Sequence, residues 1–170
     1  MQENLLPDLH HIIKKTNTPK EILEDQSAFL ADATENTAYF SVEKHTKDLF
    51  EATAQHFSNS LKTLTSSDTD NTFKFDFFVK SKYMTDYKFK IFSFEHKISM
   101  YPLNISLDTD IGEEIESELK DNLYNTIEKS DSKFLIYGVK NEACFKEILR
   151  IIFRSHYFVE IIQSIFNLSR

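Results

Sequence analysis

The sequence predicts a single α+β domain over residues 1–170, a small, mainly antiparallel four-stranded sheet packed with N-terminal and C-terminal helices. Three observations point there. Residues 72–107 are the only long run of period-two, aromatic-rich sequence in the chain. The segments on either side place apolar residues at helical spacing. With 170 residues, 41% of them hydrophobic, the chain is long enough to bury one core.

The N-terminal part, residues 1–71, reads as helical. Leu5, Leu6, Leu9, Ile12 and Ile13 trace a short amphipathic helix. Thr18-Pro19-Lys20-Glu21 then supplies an N-cap, a proline at the first helical position and a capping-box glutamate. A second helix should therefore start there and bury Ile22, Leu23, Phe29, Leu30 and Ala33. After a polar interruption at 34–37, Tyr39, Val42, Leu49, Phe50, Phe57, Leu61 and Leu64 trace a long third helix that ends in the polar stretch 65–71.

Residues 72–170 should hold the sheet and the C-terminal helices. In the first strand Phe73, Phe75, Phe77 and Val79 share the core face, and Lys74, Asp76, Phe78 and Lys80 the other. A turn centred on Met84 and Thr85 pairs Phe78 with Phe92, Lys80 with Lys90 and Lys82 with Lys88. Four lysines then crowd the hairpin tip, where like charges set opposite one another oppose pairing. Lysines also keep exposed hairpins from pairing edge to edge. The alternative is an anion- or partner-binding patch made of Lys80, Lys82, Tyr83, Tyr87, Lys88 and Lys90.

The third strand, 101–107, contains Pro102, which cannot donate to a ladder, and so is expected at an edge. Asp110 and Glu113 cap a helix expected to run to about Lys129 and bury Ile111, Ile115, Leu119, Leu123 and Ile127. Its run of glutamates reads as a solvated face. Residues 134–139 are short, apolar and β-prone, a strand inside the sheet. Two apolar helices close the chain, over about 141–153 and then from a cap at Ser155 to about Asn167. Their apolar surface belongs in the core, with a homodimer interface as its other use.

Function is less legible. The net charge of −7 divides unevenly: residues 1–71 carry 6 basic against 12 acidic residues, 72–107 carry 6 against 3, and 108–170 carry 8 against 12. Acidic helical regions thus flank a basic sheet, which disfavours a general nucleic-acid binder and favours a basic partner. With 2 Gly there is no phosphate-binding loop. The six histidines show no ligand spacing, Cys144 reads as a small core hydrophobe, and no serine sits beside a base motif, so no catalytic residue, metal or cofactor is expected. One cysteine, no secretory signal and no run of roughly 18 apolar residues fit a soluble, cytoplasmic protein. The expectation is a non-enzymatic protein-interaction module: an inhibitor, immunity-type protein or accessory subunit.

Asp76 and Glu95-His96-Lys97 offer an enzymatic alternative. With the element order helix, three strands, helix, strand, they resemble the D…ExK pattern of the PD-(D/E)xK nuclease superfamily. By that resemblance Asp76 and Glu95 would hold Mg²⁺ and Lys97 would orient water. In this sequence no proline precedes Asp76, and the ExK falls in the second strand of the expected meander. The hairpin pairing above sets Asp76 and Glu95 on opposite faces; a bulge or an odd register would bring them together. A further alternative is nucleic-acid binding through the basic hairpin 80–90.

Overall fold

The computed structural model describes residues 16–45, 72–119, 127–129 and 134–169. The stretch at 5–13, most of the expected third helix and the polar stretch 65–71 lie outside them.

Helix α1, Pro19–Ala33, starts as expected: Thr18 Oγ1 accepts from the Glu21 amide at 3.1 Å, and the Glu21 carboxylate accepts from the Thr18 amide at 2.7 Å. Glu35 and Asn36 then take φ of 52° and 59°, the left-handed conformation that turns the chain back. From this turn onward the structure corrects the helical expectation. Ala38–Lys44 do not open a third helix but form strand β1. Ala38, Phe40 and Val42 alternate toward the core while Tyr39, Ser41 and Glu43 face away, and the Tyr-Phe-Ser-Val composition suits a pleated, half-buried surface. Hydroxyls of α1 and the turn after it seal the outer edge of this strand, Ser27 accepting from the Phe40 amide at 3.0 Å and Thr34 from the Ala38 amide at 3.1 Å.

Strands β2 (Phe73–Ser81), β3 (Lys88–His96) and β4 (Leu103–Asp108) continue the meander. Helix α2 (Thr109–Leu119), β5 (Ile127–Lys129), β6 (Phe134–Val139), α3 (Glu142–Arg154) and α4 (His156–Leu168) complete an α+β fold. The sheet has six antiparallel strands, not four, in the order β1-β2-β3-β4-β6-β5. The expected N-terminal helical part therefore contributes a strand. Residues 127–129 are likewise β5, where the sequence predicts that the helix continues. β4 lies inside the sheet, because it begins just past Pro102, whose missing N–H falls outside the ladder. The first turn of α2 is capped from Asp108, whose carboxylate accepts from the Asp110 amide at 3.2 Å. β6 is interior as expected, and Asn141 and Ser155 cap α3 and α4.

The core lies between one face of the sheet and the helices. Phe40 stacks on Phe153 at 5.4 Å, Phe77 meets Phe92 at 4.8 Å, and Phe94 meets Phe145 at 6.3 Å. The apolar residues of α3 and α4, among them Phe145, Ile148, Ile152, Phe158, Ile161 and Ile165, are buried there. No helix among the described residues is long and apolar enough to cross a membrane.

The β2–β3 register departs from the expected one. Phe77 pairs with Phe92, but Phe78 pairs with Lys90 and Lys80 with Lys88, so Ile91 is one residue too many. This bulge lets Ile91 and Phe92 both enter the core, each 1% exposed. It also switches the polar face of β3 from Lys88 and Lys90 to Ser93 and Glu95.

Candidate functional site

By register, the sheet face turned away from the core carries Glu43, Lys74, Asp76, Lys80, Lys88, Lys90, Ser93, Glu95, Asn104, Ser106 and Asp108 on β1 to β4. An open depression of about 270 Å³ lies on it, lined by His45, Lys74, Lys90, Ser93, Glu95, Asn104, Ser106 and Ile136.

Asp76 is the hub beside this depression and is 9% exposed. Its carboxylate accepts from Ser93 Oγ at 2.6 Å and His45 Nδ1 at 2.8 Å, with Lys90 Nζ at 3.4 Å. Burial pushes the carboxyl up, but the hydrogen bonds from Ser93 and His45 and the Lys90 charge outweigh it and hold it below the usual aspartate range. Asp76 is therefore ionised at neutral pH, and His45 donates to it from Nδ1. Glu95 is built alike: burial opposes its charge, while Lys74 at 2.8 Å and Asn104 at 3.3 Å stabilise it and lower its carboxyl.

The lysine cluster read from the sequence is divided by this geometry. Glu43, on the unforeseen strand β1, pairs with both Lys80 and Lys88, the latter at 3.2 Å. The hydrogen bond from Lys80 is the chief reason its carboxyl lies below the usual range. Lys88 also sits 4.5 Å from the centroid of the Phe78 ring. Lys90 belongs to Asp76. On this face of β1 to β4 the four lysines thus meet three carboxylates, Glu43, Asp76 and Glu95, while a fourth, Asp108, pairs with none of them. Lys82, Tyr83 and Tyr87 stand apart at the hairpin tip, where Tyr83 is 62% exposed. Sequence reasoning misses Glu43 because its segment also fits a helix.

The bulge brings Asp76 and Glu95 onto the same face, and β1 makes the Glu95 strand third in the meander. Lys97 lies in the turn after β3, and a hairpin to β4 comes next where the nuclease order has a helix. Each carboxylate is already engaged by an ammonium group, which does not suit a resident Mg²⁺ pair. Among the described residues no three His, Cys, Asp or Glu side chains are placed to hold a metal ion.

Carboxylates with no ion-pair partner among the described residues lie on α1 and the turn after it (Asp25, Asp32 and Glu35) and on α2, whose Ile111, Ile115 and Leu119 are buried in the core. Asp110, Glu113 and Glu118 point to solvent with no ion-pair partner among the described residues. Glu114 differs: its carboxylate accepts from the amides of His156 and Tyr157, the latter at 3.1 Å, and so ties α2 to the start of α4. No family model, no curated protein and no solved structure matches this chain.

Proposed function

We propose that this chain is a non-enzymatic protein-interaction module, an inhibitor, immunity-type protein or accessory subunit, that docks a basic partner through the outer face of α2. One observation carries the reading: Lys74, Lys80, Lys88 and Lys90 of the sheet are engaged in place by Glu43, Asp76 and Glu95, whereas the α2 carboxylates Asp110, Glu113 and Glu118 have no ion-pair partner among the described residues. These three carboxylates lie on one helix, where their negative charge can speed and orient encounter with a cationic surface. The same balance weakens the nucleic-acid alternative, because phosphate binding needs ammonium groups that are free to release counterions.

The test is affinity purification from the native host, comparing the wild type with Glu113→Lys/Glu118→Lys. Both positions are exposed, so folding should change by no more than about 0.5 kcal/mol. A stoichiometric basic partner that binds the wild type in a salt-sensitive way and is lost with the double reversal supports the reading. Recovery of the same partners by both proteins refutes it.

The shared face of Asp76 and Glu95, with Glu95 on the third strand of the meander, favours a PD-(D/E)xK-like nuclease as a second reading. That reading requires Glu95→Ala and Lys97→Ala each to abolish a Mg²⁺-dependent cleavage shown by the wild type. Absence of cleavage by the wild type removes it.

A further inference from the structure

We draw no further inference here: the strongest candidate, the depression on the outer sheet face where the ionised Asp76 orients the His45 imidazole, belongs to the site already described, and its Lys74 and Lys90 are engaged by Glu95 and Asp76, so its lining selects no ligand by charge.

Discussion

Replacing Asp76 by alanine removes the hub of the charged sheet face. The carboxylate accepts two close hydrogen bonds, from Ser93 and His45, and a longer contact from Lys90. Hydrogen bonds to a charged group contribute about 1.5–3 kcal/mol each before the cost of burying the charge. That cost is substantial at a site 9% exposed, while His45 and Lys90 can turn to water in the adjoining depression. The net expectation is a loss of about 2 kcal/mol at neutral pH, a fall in melting temperature of roughly 4–8 °C for a chain of this size. Urea unfolding read by circular dichroism measures it. The pH dependence carries the sharper test. The folded carboxyl lies below its usual value of 3.8, so its contribution is full above that value and is lost as pH falls through the lower folded one. The gap between wild type and Asp76→Ala should therefore be constant near neutrality and close in strong acid. A variant as stable as the wild type at pH 7, or a gap that persists in strong acid, would refute the assignment of Asp76 as a stabilising, ionised hub.

Single contacts carry three more expected outcomes. Glu43→Gln frees Lys80 and Lys88, so affinity for an oligonucleotide should rise and its salt dependence steepen by one to two counterions, about the slope expected per released phosphate contact; titrations at several salt concentrations measure this. Glu114→Ala removes the anchor on the His156 and Tyr157 amides and should cost about 1 kcal/mol in chemical unfolding, as capping losses do. At Gly112 an added Cβ would stand 2.5 Å from Leu135 Cδ1 and 3.2 Å from its Cγ. Gly112→Ala should therefore destabilise by roughly 1 kcal/mol despite its better helix propensity, and the loss should vanish in a Leu135→Ala background.

Much of the architecture is legible where local signals agree. Thr18-Pro19-Lys20-Glu21, Asn141 and Ser155 mark helix starts by side-chain chemistry alone, and the alternation of Leu103, Ile105 and Leu107 shows which face is buried. Strand β1 escapes the sequence reading because Tyr39 and Val42 also fit a helical spacing. The stronger cue is the strict alternation of Ala38, Phe40 and Val42 in a β-prone sequence. It matters to the charged face of the sheet, since this strand sets Glu43 beside Lys80 and Lys88. The bulge has a sequence signal as well: polar residues at 88 and 90 become polar residues at 93 and 95 across the apolar pair Ile91-Phe92. Unbroken alternation across that doublet would set Asp76 and Glu95 on opposite faces, which is why the sequence reading separates them. No local pattern shows that Lys90 and His45 converge on Asp76, because that depends on which strands become neighbours.

The proposed partner chemistry rests on where the uncompensated charge lies, and one titration addresses it directly. The ¹⁵N-labelled chain would be titrated with a lysine-rich peptide at low and at high salt, and the amide shifts mapped residue by residue. The account predicts saturable shifts centred on Asp110, Glu113 and Glu118 of α2 that fade as salt is raised and disappear in Glu113→Lys/Glu118→Lys. Shifts centred on Glu43, Asp76 and Glu95 of the sheet, or shifts that survive the double reversal, would contradict it.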